Sequence, residues 1–132
     1  IYGVLDSEKR TFTYVRAGHN PILYKKANGE INWLQPKGVA VGMTKGEIFN
    51  KVVEEDTIQL EKGDILVLYT DGITEAQNEN EEFYDERRLK NIVKRVKTKS
   101  AEDLRSIIIE DVRTFMGDAL QYDDMTLVVI KA

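Results

Sequence analysis

Two acidic positions stand where apolar segments stop. The run Leu68-Tyr69-Thr70-Asp71-Gly72-Ile73-Thr74-Glu75-Ala76 carries an apolar strand that ends abruptly in Thr-Asp-Gly. An Asp at a strand end is held rigidly at the rim of a sheet, and a Gly after it lets backbone or ligand come close. That suits a metal ligand, although Asp-Gly is also one of the commonest turn dipeptides. The run Tyr122-Asp123-Asp124-Met125-Thr126 opens a second apolar segment, Leu127-Val128-Val129-Ile130. Adjacent carboxylates repel unless something positive sits beside them, and a divalent cation is the simplest compensation. A solvated loop before a strand is the alternative. If the two strands are neighbours, Asp71 and Asp123 reach one ion, which completes its octahedron with water. Water so bound has a depressed pKa and acts as a nucleophile near neutral pH.

Other segments bear on the chemistry less directly. Arg16-Ala17-Gly18-His19-Asn20-Pro21 places a lone His in a turn, either as a general acid or as a turn-stabilising residue. Val39-Ala40-Val41-Gly42-Met43 lies among Gly38, Gly42 and Gly46, whose spacing makes no phosphate-binding glycine pattern; a loop with close backbone packing is expected. Lys90, Lys94, Arg95, Lys97 and Lys99 form a basic, solvent-facing helix side.

Composition narrows the options. The 132 residues amount to one domain, 42% hydrophobic and 32% charged, which is a globular profile. There is no Cys and His19 is the single His, so thiolate chemistry and Cys- or His-rich zinc sites are excluded. A metal here needs oxygen ligands, which points to Mg²⁺ or Mn²⁺. The net charge of −4 argues against a nucleic-acid partner. No stretch approaches the roughly 18 apolar residues of a membrane span, and no signal peptide is visible, so a cytoplasmic location is expected. The chain opens on Ile1-Tyr2-Gly3-Val4-Leu5, strand-like and without an initiator Met, as though taken from a longer sequence.

Several elements must position these residues. Tyr2 to Leu5 and Thr11 to Val15 read as two strands joined by a polar turn. Ile22 to Tyr24 and Ile31 to Leu34 flank Asn28-Gly29, a strong hairpin signal because both residues tolerate positive φ. Phe49 to Val53 and Thr57 to Leu60 are expected as further strands. Ile65 to Tyr69 is continuously apolar, as in a strand buried on both faces. Leu89, Ile92, Val93 and Val96 then recur at helical spacing. Ser100 with Asp103 marks the N-terminus of a second helix, whose stripe is Leu104, Ile107, Ile108, Val112 and Phe115. Met125 to Ile130 closes the chain as a strand. Strands followed by consecutive helices and a last strand give an α+β fold with antiparallel sheets.

Four segments in this order resemble the SpoIIE-like branch of the PPM (type 2C-like) serine/threonine protein phosphatases. They are Ala17-Gly18-His19-Asn20-Pro21; Gly63-Asp64 with Leu66 through Ala76; Glu82-Phe83 with Glu86-Arg87-Arg88-Leu89; and Asp123-Asp124-Met125-Thr126-Leu127. The resemblance runs over essentially the whole chain. It implies two antiparallel sheets packed face to face and flanked by helices, with a binuclear Mn²⁺ or Mg²⁺ site at one edge of the sandwich. It implies that Asp71 and Asp123 are metal ligands, that Thr70 and Gly72 shape the site, and that Asp124 supports it. His19 joins the supporting set. It further implies attack of a metal-bridging water on phosphoserine or phosphothreonine, without a phosphoenzyme. The expected partners are a phosphorylated regulator of the anti-anti-sigma type and an upstream sensor domain.

The chain departs from the family pattern in two places. The N-terminal Gly-Asp-(aromatic)-Tyr-Asp type motif, whose acidic residues bridge both metals, does not occur. Residues 1–132 are therefore expected to be a partial domain, inactive alone, with exposed apolar surface that invites homodimerisation. Tyr84 also stands where relatives usually carry Gly. Two rival readings differ in their chemistry. A haloacid-dehalogenase-type phosphatase needs a nucleophilic Asp where Tyr69 stands, within a βαβ pattern that is lacking. A non-catalytic regulatory module of PPM fold is the alternative, against which the presence of both Asp71 and Asp123 weighs.

Overall fold

Residue alternation fixes what each strand buries, and the computed structural model, which describes residues 1–97 and 100–132, shows two sheets built on it. In chain order the elements are β1 (Tyr2–Asp6), β2 (Thr11–Val15), β3 (Ile22–Lys25), β4 (Ile31–Leu34), α1 (Gly46–Val52), β5 (Glu55–Gln59), β6 (Ile65–Tyr69), α2 (Asp71–Thr74), α3 (Asp85–Arg95), α4 (Ala101–Met116) and β7 (Leu127–Lys131). One sheet has the order β1-β2-β5 and the other β4-β3-β6-β7. Every pairing within them is antiparallel.

The inner faces meet over Phe12, Tyr14, Ile22, Tyr24, Leu60 and Leu66. The rings of Phe12 and Tyr14 stack with centroids 5.3 Å apart. On the far side of the four-stranded sheet, Leu23, Ile65, Val67 and Tyr69 pack on Leu89 and Val93 of α3 and on Leu104, Ile108, Val112 and Met116 of α4. This is why β6 is apolar throughout: Leu66 faces the second sheet while Ile65, Val67 and Tyr69 face the helices. Full burial of such a side chain stabilises the fold by about 1.5–3 kcal/mol.

The helix signals resolve as the sequence suggests. Ser100 caps α4 by accepting a hydrogen bond from the Asp103 amide at 3.0 Å. Gly117, with φ 60°, terminates it. Lys25, at the end of β3, donates to the Val93 and Val96 carbonyls at 2.8 Å each, placing a cation on the C-terminus of α3. Burial, with Lys131 and Lys97 nearby, holds its ammonium below the usual lysine range. Lys94, Arg95 and Lys97 are exposed and Lys90 is half-buried; Lys99 lies outside the described residues.

One expectation is overturned. Residues 49–53 do not form a strand, since α1 covers Gly46–Val52. Ile48, Phe49 and Val52 fall at helical spacing, with Glu47 in the first turn and Lys51 in the last, which favours the helix through its dipole. The β3–β4 hairpin is also longer than Asn28-Gly29 alone suggests. The Lys26 amide bonds the Glu30 carbonyl, and Gly29 takes φ 92° inside that loop. Residues 39–43 are a loop, as expected; close packing holds at Ala40, whose Cβ would lie 2.5 Å from a methyl on Gly18, whereas Val41 and Met43 are exposed.

Asp64 carries more structure than its turn position implies. It is 2% exposed and accepts from the Tyr24 hydroxyl at 2.6 Å, the Ala27 amide at 2.8 Å and the Glu61 amide at 3.0 Å. Asp64→Ala strands three donors, so urea denaturation should show a loss of roughly 2–3 kcal/mol. A change within experimental scatter would mean that water satisfies those donors as well as the carboxylate does.

Apolar surface is exposed on two edge strands, at Tyr2, Val4 and Leu5 of β1 and at Val128 of β7. Among the described residues, no helix is long and apolar enough to cross a membrane.

Candidate metal centre

The β6–β7 ladder decides where the two acidic segments meet. Tyr69 pairs with Leu127, the last register step before both strands end. The Thr70 amide then donates to the Thr126 carbonyl at 3.1 Å. The Thr70 hydroxyl accepts from the Thr126 amide at 2.9 Å and donates to the Asp124 carbonyl at 3.1 Å. Thr70 is therefore a strut joining the two segments.

Asp71 follows as the first residue of α2. Its carbonyl accepts from the Glu75 amide at 2.7 Å, and Ile73, fully buried, anchors the turn in the core. Gly72 closes the gap to the other segment. A methyl there would sit 2.4 Å from the Asp124 carbonyl oxygen and 3.4 Å from that of Asp123. Only a hydrogen fits, so residues 71–72 and 123–124 are in direct backbone contact.

Both carboxylates are exposed, and each is oriented locally. Asp71 Oδ1 accepts from the Gly72 amide at 3.1 Å, and Asp123 Oδ1 accepts from the Asp124 amide at 2.7 Å. Gln121 Nε2 donates to the Asp123 carbonyl at 2.8 Å. Among the described residues, no ion pair engages Asp71 or Asp123. Hard cations such as Mg²⁺ are typically held by one or two carboxylates with water filling the remaining positions. Asp71 and Asp123 fit such an ion as part of its shell. Among the described residues, no three acidic or His side chains converge.

Thr70, Asp71, Gly72, Asp123 and Asp124 are thus brought together. Asp124 contributes through its backbone carbonyl. His19 sits in the β2–β3 turn and lines a cleft of about 330 Å³ with Thr70 and Thr126. Its Nδ1 lies 3.2 Å from the Asn20 carbonyl oxygen, and its own carbonyl accepts from Arg16 at 2.9 Å. His19 is at the same end of the sandwich but on the Thr70 side.

The support behind Asp71 comes from α3 and α4, through contacts such as Tyr84 and Arg88 with Asp111 that sequence spacing did not reveal. The Tyr69 hydroxyl donates to Glu86 of α3 at 3.2 Å. Burial first, then Glu86, push that phenol above its usual range. The Tyr84 amide donates to the Ala76 carbonyl at 2.8 Å, so both flanks of the Asp71 segment are tied to the start of α3. Tyr84 is 1% exposed, and its hydroxyl donates to Asp111 of α4 at 2.7 Å. Arg88 bonds both oxygens of Asp111, at 2.9 and 3.2 Å, and lies 4.7 Å over the Phe115 ring. The Arg88 guanidinium holds the Asp111 carboxyl below the usual range, with Tyr84 adding to the effect against partial burial. Tyr84 is therefore a core residue. The positive φ falls on Asp85, at 64°, and on Glu81, at 61°.

Comparisons with known proteins bear on the family and the fold. The family described as Stage II sporulation protein E (SpoIIE) matches residues 1–132. Protein IcfG of Synechocystis sp. is 29% identical over 130 residues, covering 98% of this chain and 20% of that protein. Phosphoserine phosphatase RsbU of Bacillus subtilis is 29% identical over 132 residues, covering 99% of this chain and 38% of that protein. The chain thus spans well under half of the length of these relatives. The manganese-presoaked phosphatase domain of SpoIIE from Bacillus subtilis superimposes with a TM-score of 0.71 at 23% identity, over 98% of this chain and 54% of that one. That likeness shows the shared fold: antiparallel sheets with helices on a flank. With the match running from the first residue to the last, the chain belongs to the family described as Stage II sporulation protein E (SpoIIE).

Proposed function

We propose that this chain supplies Asp71 and Asp123 to the metal centre of a protein phosphatase that hydrolyses phosphoserine or phosphothreonine in a cytoplasmic regulatory protein. The observation that carries the proposal is the backbone contact at Gly72, which joins the two acidic segments at one sheet rim. The names of its relatives support it: RsbU is a phosphoserine phosphatase, and the SpoIIE phosphatase domain was presoaked with manganese.

Each residue has a stated part. Asp71 and Asp123 hold Mn²⁺ or Mg²⁺, which when bound supplies Lewis acidity for transfer of the phosphoryl group to water. Thr70 uses its hydroxyl as donor and acceptor within the protein, so it braces the ligands and moves no proton. Gly72 and the Asp124 carbonyl set the spacing. His19 shapes the turn beside Thr70. In the complete domain, further carboxylates of an N-terminal segment would share the ion and hold a second one. A regulator of the anti-anti-sigma type is the proposed substrate, under the control of an upstream sensor domain.

Metal removal tests this. With the N-terminal part of the domain present, a phosphoserine peptide should release phosphate in Mn²⁺. Release should fall to background in excess chelator and return when Mn²⁺ is restored. Release that persists unchanged in chelator would refute a metal-dependent reaction.

A further inference from the structure

Beside Asp123 lies a small pocket of about 200 Å³. Its walls are Phe83, Met116, Leu120, Tyr122 and Met125, and it reaches Gly72 and Asp123 directly. Three of these side chains are displayed to solvent together: Phe83 is 54% exposed, Leu120 74% and Tyr122 77%. Large apolar groups left in water next to a candidate reaction centre mark a contact surface.

Both walls are preorganised. The backbone of Phe83 is held by a bridge to Gln77, and the Asn78 side chain accepts from the Glu82 amide at 3.0 Å. Opposite, the Ala119 amide bonds the Met116 carbonyl at 3.1 Å. Glu79 spans the two walls by accepting from the Asp118 amide at 3.4 Å. Besides Asp123, assigned above to the metal, the charged residue lining the pocket is Glu75, with the acidic Glu79 and Asp118 bridging beyond. An apolar pocket in an acidic frame selects an apolar side chain on a basic segment, and it disfavours an acidic one.

We propose that this pocket is a substrate subsite, which receives one apolar side chain of the phosphoprotein a few residues from the phosphoserine, in a segment rich in Lys or Arg. The proposal rests on the phosphatase function above. The contact would hold the substrate chain at Phe83 and Leu120 while the phosphoryl group lies at Asp71 and Asp123. Filling a small apolar pocket discriminates by about tenfold or more.

The test uses the full-length protein in Mn²⁺, with p-nitrophenyl phosphate and two synthetic phosphoserine peptides as probes. One peptide carries Leu and Lys near the phosphoserine; in the other, Ala replaces Leu. Phe83→Ala and Leu120→Ser should each lower kcat/KM for the Leu peptide by about tenfold, leave the Ala peptide nearly unaffected, and leave p-nitrophenyl phosphate unchanged. Variants that keep the parent's preference for Leu over Ala, or that lose all three substrates in parallel, would overturn the subsite. If the parent protein shows no Mn²⁺-dependent hydrolysis of p-nitrophenyl phosphate, the phosphatase function itself falls and the subsite with it.

Discussion

Asp71→Asn and Asp123→Asn should each lower Mn²⁺-dependent phosphate release by about a thousandfold or more, which corresponds to roughly 4 kcal/mol of transition-state stabilisation. The substitution removes a charge and little else. Asn keeps an oxygen that can accept from the Gly72 amide at position 71, or from the Asp124 amide at position 123, as the carboxylates do now. Both side chains are exposed, so the core is untouched. Thermal unfolding of the variants should therefore stay close to that of the parent, within about 0.5 kcal/mol. Loss of activity with retained stability separates metal ligation from a structural role. Full activity in both variants would show that these carboxylates hold no catalytic ion.

Gly72→Ala is the second large effect, and its cause is spatial. The added methyl would sit 2.4 Å from the Asp124 carbonyl oxygen and 2.9 Å from its carbon. Those neighbours are backbone, so no side chain can rotate away. Either α2 or the segment before β7 must shift, which costs about 1–3 kcal/mol. The shift also breaks the contact that sets the spacing of Asp71 and Asp123, and Mn²⁺ affinity should fall by about tenfold to a hundredfold, as it does when metal-supporting residues are changed. Gly46→Ala is the matched control. Position 46 opens α1 with nothing within 4 Å of an added Cβ, so stability should hold or rise by up to about 1 kcal/mol. Denaturation and Mn²⁺ titration of the two variants check both effects. Equal behaviour would mean that the Gly72 contact is loose in solution.

The parts of the molecule that were legible in the sequence are those whose cause is local. The apolar run of β6, the Ser100 cap and the stripe of α4 each follow from neighbours in the chain. Asp71 and Asp123 were visible because each interrupts an apolar segment at its end. Residues 49–53 misled because Phe49, Val52 and Val53 are β-favouring types. Helical spacing from Ile48 and the charges at Glu47 and Lys51 decided the outcome instead. Pairings across long separations carried no local signal. The Tyr24–Asp64 hydrogen bond and the Arg88–Asp111 pair join positions whose proximity exists only after the sheets and helices have packed. Tyr84 drew attention as a departure from a family pattern, yet its burial against Phe115 and Asp111 depends on α4.

The Arg88–Asp111 pair has a consequence for the site. It fixes the start of α3 on α4, and the start of α3 holds Tyr69 through Glu86 and Ala76 through Tyr84. The segment bearing Asp71 is therefore braced on both flanks by the helical layer, while Asp123 is braced by β7 through Thr70 and Thr126. Two independently braced segments, each bearing an exposed Asp, meet at one rim, and such support is what holds metal ligands in place.

Anomalous diffraction from Mn²⁺-soaked crystals of the complete domain measures that convergence directly. One manganese peak should lie about 2.0–2.3 Å from a carboxylate oxygen of Asp71 and of Asp123 alike. A peak bound by neither residue, or by one with the other turned away, would contradict it.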